Sequence, residues 1–192
     1  KISAADLNFT ANGVDCWPQH IVVVSDTKAY LQYATSDWEA NSGIRVLDLN
    51  TLTVSSEDLQ GTYGQFSVAG ATKGRMLFSK GKVYAPCGQS LAVIDAATDE
   101  VTKVDYGMQI KGIAKGSDGK VWMILAGGGV VDDKIVAVDE NGNEIAGTAF
   151  EFELEDPLPT ETYMSIIGIC SSFTDDYIYI THGPLAYSML PT

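Results

Sequence analysis

The residues that could perform catalysis are few in this chain of 192 residues. His20 and His182 are its only histidines, and a Ser-His nucleophile would need one of them beside a serine and a carboxylate. The Gly-x-Ser-x-Gly motif of a strained nucleophile turn does not occur in the sequence. We therefore predict no catalytic residue, and a structural or incidental role for His182 is favoured over a catalytic one.

Acidic pairs are the candidate ligands for a hard cation. Asp132-Asp133 follow the glycine run Gly127–Gly129, and Asp175-Asp176 lie between two β-rich segments. Calcium and magnesium need several converging oxygen atoms, which one pair of adjacent aspartates does not supply. The glycine run matches neither of the common phosphate-binding motifs. We predict no metal site and no cofactor.

Composition excludes several classes of function. The net charge of −13, from 12 basic and 25 acidic residues, repels phosphate backbones, so nucleic acid is not an expected partner. No apolar run approaches the roughly 20 residues that span a bilayer. The three cysteines are too widely spaced for a zinc site or a disulfide framework, and we predict that they are small buried apolar residues.

A repeat sets the positions of these residues. Lys82-Val83-Tyr84 leads to Leu91–Asp95, and Lys120-Val121-Trp122 leads to Lys134–Asp139. A similar segment begins at Ala29-Tyr30-Leu31, and the closing residues Asp48, Asp95 and Asp139 are 47 and 44 residues apart. This is the length of a four-stranded propeller blade. We predict that each closing aspartate caps its turn through side-chain hydrogen bonds.

The apolar pattern supports blades over an open sheet. The third strand of the third unit, Ile135–Val138, is apolar on both faces, as expected for a strand covered on both sides. The sequence predicts an all-β fold: a partial β-propeller of four-stranded antiparallel blades, with about three and a half blades present. Trp122, inside a second strand, is predicted to belong to the core.

The predicted boundaries make residues 1–192 a single partial propeller. The blades cover about residues 20–60, 71–105, 109–150 and 164–192, and residues 1–19 form an N-terminal extension. An open arc would expose an apolar blade face at each end. Either the chain is part of a longer propeller, which is our expectation, or a second copy completes the ring.

The second and third units resemble the YVTN/YncE-like propeller repeats. The resemblance is carried by Lys82-Val83-Tyr84 with Ile94–Val101, and by Gly112-Ile113-Ala114 with Asp118–Trp122. It implies an exported protein, periplasmic or anchored to the outer surface. Some members of this group are surface lipoproteins that pass ligands such as vitamin B12 to outer-membrane transporters.

Propeller topology places the loops between strands two and three on the same end as the loops between blades. Aromatic residues in such loops often anchor ligands. We predict a ligand site on this end, formed by the following residues of those loops: Trp38, Tyr63, Tyr106, Tyr163 and His182.

Together these features predict a non-catalytic, exported binding or interaction protein. Its partner would be a small molecule, such as a vitamin B12-like compound captured at the cell surface, or a protein. The alternative is a metal-dependent propeller hydrolase or lyase of the lactonase type. The apolar first strands argue against that alternative, since they offer no carboxylates to a central metal ion.

Overall fold

The structure is a computed structural model in which every regular element is a β-strand. It describes residues 9–37, 42–62, 76–127, 133–151, 162–172 and 176–186, without the side chains of 162–167 and 182–186. No helix long and apolar enough to cross a membrane is found among these residues. The strands form four antiparallel sheets that follow one another along the chain. The predicted all-β fold of about three and a half blades is confirmed.

The strands pair with their sequence neighbours within each sheet. The first sheet contains β1 (Thr10–Ala11), β2 (Val14–Val23), β3 (Lys28–Thr35), β4 (Ser42–Asp48) and β5 (Thr53–Val54). The second contains β6 (Leu77–Ser79), β7 (Lys82–Cys87), β8 (Ser90–Asp95) and β9 (Val101–Asp105). The third contains β10 (Gln109–Lys115), β11 (Val121–Ala126), β12 (Lys134–Val138) and β13 (Phe150–Glu151). The fourth contains β14 (Thr162–Ser171) and β15 (Ile178–Ala186).

The first sheet begins earlier in the chain than predicted. Residues 10–19, expected to lie in an N-terminal extension, form β1 and the first half of β2. The reason is a tight hairpin at Asn12-Gly13, where both residues have positive φ (50° and 80°), as a two-residue hairpin turn favours. The Asn-Gly pair in the sequence indicates this hairpin, but it lies outside the repeat from which the strands were predicted.

Three turns begin at an aspartate whose side chain accepts hydrogen bonds from the turn, as predicted. The Oδ1 atom of Asp48 accepts the N–H groups of Asn50 and Thr51, at 2.7 and 3.0 Å. Asp95 accepts from Ala97 and Thr98 in the same way, at 2.8 and 3.2 Å. Asp139 accepts from Asn141 and Asn143, at 2.8 and 2.9 Å. The expectation that these aspartates cap their turns is confirmed by this geometry.

Each of the first two sheets is covered by the second and third strands of the next. One apolar cluster joins Tyr30 and Ile44 of the first sheet to Ala92 and Ile94 on β8. A second cluster joins Tyr84, Leu91 and Val93 of the second sheet to Val136 and Val138 on β12. The third strands are therefore buried on both faces, which explains their continuous apolar sequence.

The turn after each third strand also contacts the preceding sheet. The Tyr30 hydroxyl and the Lys28 ammonium both contact the Asp99 carboxylate, the ammonium at 2.5 Å, and Lys28 Nζ donates to Ala96 O at 3.0 Å. In the next pair of sheets, the Tyr84 hydroxyl donates to Asp139 O at 3.4 Å. We call this recurring arrangement, between the second-strand tyrosine and the following sheet's turn, the turn contact.

Cysteines follow the predicted pattern only in part. Cys16 and Cys87 are buried, whereas Cys170 is exposed. Its neighbour Ile169 packs against the third sheet, so the alternation of a strand turns Cys170 to the other face.

Gly142 lets its turn approach the second sheet closely. Its φ is +82°, and a Cβ built there would lie 2.7 Å from Val93 Cγ2 and 3.3 Å from Leu91 Cδ2. Gly147 has a similar φ of +77° but open space around its Cα. Replacing Gly147 by alanine would cost only the strain of a left-handed backbone, whereas replacing Gly142 would add a steric clash.

We predict that Gly147→Ala lowers the free energy of unfolding by about 1 kcal/mol, the usual cost of a left-handed alanine. Gly142→Ala should lower it by about 3 kcal/mol, because the added methyl group also displaces Val93. Urea unfolding followed by circular dichroism measures both. Equal losses for the two variants would show that the turn does not press on the second sheet.

Candidate functional site

Three of the five residues predicted to bind a ligand, Tyr106, Tyr163 and His182, lie within the described residues. Trp38 and Tyr63 lie outside the described residues. Tyr163 and His182 belong to strands and not to the loops where they were placed: Tyr163 pairs with Leu185 on β15, and His182 with Ile166 on β14. These strands are ten and nine residues long, so pairing continues through both positions.

Tyr106 has a structural role between two sheets. It lies between β9 and β10, packs against the second apolar cluster, and donates its hydroxyl to Gly142 O. Burial, and then the nearby carboxylates of Glu144 and Asp139, raise the pKa of Tyr106 to about 12. The residue therefore reinforces the turn contact of Tyr84, and its hydroxyl is engaged inside the protein.

His20 also serves the packing of neighbouring sheets. Its Nδ1 accepts the backbone N–H of Met76 at 3.1 Å, which joins β2 to the start of the second sheet.

A pocket of about 370 Å³ lies between the third and fourth sheets. Its wall is formed by the loop before β11, by strands of the third sheet, and by the start of β15. It is lined by Gly116, Ser117, Asp118, Trp122, Ile135, Phe150, Asp176, Tyr177, Ile178 and Ile180. We call this cavity the Trp122 pocket.

The residues on the floor of the pocket occupy the same positions in the third sheet as a set of covered residues in the second sheet. Trp122 pairs with Ala137, as Tyr84 pairs with Val93. Ile135 pairs with Phe150, and this pair corresponds in the same way to Leu91 and Val104 of the second sheet.

The two equivalent surfaces differ in what covers them. On the second sheet, Leu91 is 0% exposed beneath the third sheet, and the Gly142 turn lies over Val93. On the third sheet Ile135, the equivalent of Leu91, is still buried and packs with Ile180 of β15, whereas its pairing partner Phe150 is 59% exposed at the pocket. The fourth sheet has, within the described residues, only the two strands β14 and β15 to cover it.

Aromatic side chains dominate the opening of the pocket, and carboxylates lie at its rim. Trp122 is half-buried and packs with Ile124, Ile135 and Ile180, so its predicted core role is combined with a surface role. Tyr177 is 69% exposed. The Lys120 ammonium, 2.5 Å from Asp118 Oδ2, is the main cause that lowers the pKa of Asp118.

The loop residues of the pocket lie at the end of the sheets opposite to the loops chosen for the predicted site. Gly116–Asp118 and Asp176 belong to loops between first and second strands, which emerge on the other side from the loops between second and third strands. None of the five predicted residues lines it. The sequence does show that Trp122 occupies the position of Tyr84 and Tyr30 in its repeat unit. A tryptophan within a strand is nevertheless expected to be buried unless the packing of the neighbouring sheet is known.

No cluster of metal-binding side chains accompanies the pocket. Within the part of the chain that the structure describes, no three His, Cys, Asp or Glu side chains come close enough together to hold a metal ion. The described lining offers apolar side chains together with the carboxylates of Asp118 and Asp176.

The comparisons with known proteins establish the family. The family model described as "Domain of unknown function (DUF5074)" matches residues 9–189, and the chain belongs to this family. A search of the curated proteins found no match.

Two solved structures are similar to this chain in fold. One is a europium-containing methanol dehydrogenase, with 19% sequence identity and a TM-score of 0.50 over 75% of this chain and 26% of that one. The other is a structural genomics protein of unknown function from Bacteroides thetaiotaomicron VPI-5482, with 12% identity and a TM-score of 0.51 over 89% of this chain and 40% of that one. The likeness shows a propeller-type fold. The chain spans between a quarter and two fifths of the length of these structures.

Alkaline pH should weaken the fold through its buried tyrosines. The pKa of Tyr106 is raised to about 12, so its stabilising contribution is complete below the unfolded pKa of about 10 and is lost as pH rises to about 12. Burial raises the pKa of Tyr84 in the same direction. We predict that Tyr106→Phe makes the fall in the urea midpoint between about pH 9 and pH 12 shallower. An unchanged pH profile in this variant would contradict the assigned role of the Tyr106 hydroxyl.

Proposed function

We propose that this chain is an exported, non-catalytic propeller module that binds a partner at the Trp122 pocket. The observation that supports the proposal is an apolar surface, buried between the second and third sheets, whose equivalent between the third and fourth is open at Phe150. Export is proposed from the resemblance to the YVTN/YncE-like repeats, some of whose members capture small molecules at the cell surface. Trp38 and Tyr63 stay predictions for a further contact on the opposite end.

The size and lining of the pocket suit a binding site. Ligand pockets usually have volumes of about 300–1,000 Å³ and are mostly apolar with a few polar groups, and this one has a volume of about 370 Å³. Phe150 and Tyr177 expose large parts of their rings. Covering these rings would remove apolar surface from water, at roughly 25 cal/mol for each Å² buried.

An edge strand beside the pocket offers a second mode of binding. Ile178 and Ile180 of β15 line the pocket, and β14 is the only partner strand of β15 among the described residues. An edge strand of this kind can pair with an added extended segment through backbone hydrogen bonds. Pocket and edge together favour a binding role, and no specific observation favours the lactonase-type alternative.

We predict that the apolar dye Nile red gains fluorescence on binding to this protein. Ser117→Trp should abolish most of the gain, because Ser117 lines the pocket from an exposed loop and a larger side chain there would fill it. Fluorescence titration measures the affinity and the number of sites.

Ser56→Trp is the matched control, since Ser56 is also an exposed loop serine and does not line the pocket. It should bind Nile red like the unmodified protein. Binding that is equal in both variants would place the dye elsewhere and would remove the support for the Trp122 pocket as a binding site.

A further inference from the structure

The lining of the Trp122 pocket combines aromatic rings with carboxylates. Trp122, Phe150 and Tyr177 supply the rings, and Asp118 and Asp176 supply the carboxylates. None of the described lining residues is a lysine, an arginine or a histidine. An aromatic ring attracts a cation to its negatively charged face, and a carboxylate attracts the same cation through its charge. Both kinds of side chain therefore favour one class of ligand.

A carboxylate and an indole ring lie side by side at Gly116, in the loop before β11. A Cβ atom built on Gly116 would lie 2.7 Å from Asp118 Oδ1 and 3.0 Å from Trp122 Nε1. Glycine at this position therefore lets the two groups approach each other without a side chain between them. The aromatic and the acidic parts of the lining meet at this point.

The two carboxylates differ in how far their charge is offset by neighbouring lysines. The Lys120 ammonium, 2.5 Å from Asp118 Oδ2, is the main cause that lowers the pKa of Asp118, and Lys80 acts in the same direction. Among the described residues, no basic side chain lies within ion-pair distance of Asp176. Asp176 therefore keeps its negative charge at the pocket without a neighbouring lysine to offset it.

We propose that the ligand of the Trp122 pocket is a small organic cation, namely a quaternary or alkyl-substituted ammonium group. This inference rests on the proposed function, since it names the ligand of the same pocket. The rings bind the alkyl groups around the charged nitrogen, and Asp176 balances its charge. A metal ion is a poor fit for such a lining, because calcium and magnesium need several converging oxygen atoms.

An alkylated ammonium group suits this lining better than a primary ammonium group does. A primary ammonium carries three N–H donors that all need acceptors when they leave water, and most of the described lining residues are apolar. A quaternary ammonium carries no N–H donor and presents apolar groups to the rings. The net charge of −13 also favours the approach of a cation over that of an anion.

Choline and its neutral carbon isostere, 3,3-dimethylbutan-1-ol, test the proposal because they differ in charge and hardly in shape. Saturation-transfer NMR titrations on the full chain should show that choline binds about tenfold more tightly. Ser117→Trp should abolish the binding of both compounds, since Ser117 lines the pocket. Raising sodium chloride from about 20 mM to about 500 mM should weaken the binding of choline alone, because salt screens exposed charges.

Asp176→Asn tests the assigned carboxylate. It should lower the affinity for choline about threefold, the effect expected of one exposed charge, and leave the affinity for the neutral alcohol unchanged. Asp26→Asn is the matched control, since Asp26 is also an exposed aspartate outside the strands and does not line the pocket. It changes the net charge of the chain equally and should leave both affinities unchanged.

Tyr177→Leu tests the aromatic part of the lining. The leucine keeps an apolar side chain and removes the ring, so the affinity for choline should fall about threefold while that for the alcohol changes little. Tyr179→Leu is the matched control, because Tyr179 is 52% exposed and Tyr177 69% and Tyr179 does not line the pocket. Circular dichroism should show that all these variants are folded.

The outcomes separate the two proposals. If Nile red binds at the pocket and choline binds no more tightly than the alcohol, the cation is wrong and the binding site stands. If neither Nile red nor choline binds, both proposals are wrong. Choline binding that Ser117→Trp and Asp176→Asn leave unchanged would also overturn the cation proposal, because choline would then bind elsewhere on the protein.

Discussion

The stack of sheets depends on the contact between a second-strand aromatic residue and the turn of the next sheet. Tyr30 and Tyr84 are nearly inaccessible to solvent, and a buried hydroxyl without an acceptor is costly. Asp99 and Asp139 O supply those acceptors from the following sheet. One side chain thus fills the space between two sheets and fixes the position of the next one.

The two ends of the stack differ in how they are closed. Arg45 pairs with Leu31 across β3 and β4, on the face of the first sheet opposite to Tyr30, and it is 4% exposed. Its guanidinium donates to Thr10 O at 3.0 Å, faces Asp58 at 3.4 Å, and lies over the ring of Phe9. The first sheet therefore covers much of its outer face with its own residues, whereas the third sheet opens towards the fourth at the Trp122 pocket.

Much of the fold could be predicted from the sequence, because strands and turns are determined by residues close together in the chain. The spacing of Asp48, Asp95 and Asp139 predicted the repeat, and the same aspartates cap their turns in the structure. The Asn12-Gly13 hairpin was missed because β1 is an addition that the other sheets lack. A repeat shows only the strands that all units share, and β1 occurs in the first sheet alone.

The candidate site could not be predicted in the same way, because it depends on packing between sheets. Tyr106 carries the features of a ligand-binding loop residue, and only its hydrogen bond to Gly142 O shows that it holds two sheets together. Trp122 looks like a core residue in the sequence, and its partial exposure depends on how the fourth sheet packs against the third. A pattern within one unit contains no information on how the next unit packs against it.

Hydrogen exchange of the backbone amides, followed by mass spectrometry, tests this account most directly. We expect β7, β11 and β12 to exchange slowly and together, since the turn contacts join their sheets into one cooperative unit. Strand β15 should exchange much faster, because the described residues give it no turn contact. Equal protection of β15 and β12 would contradict the account, since the fourth sheet would then be as firmly held as the sheets whose turn contacts are present.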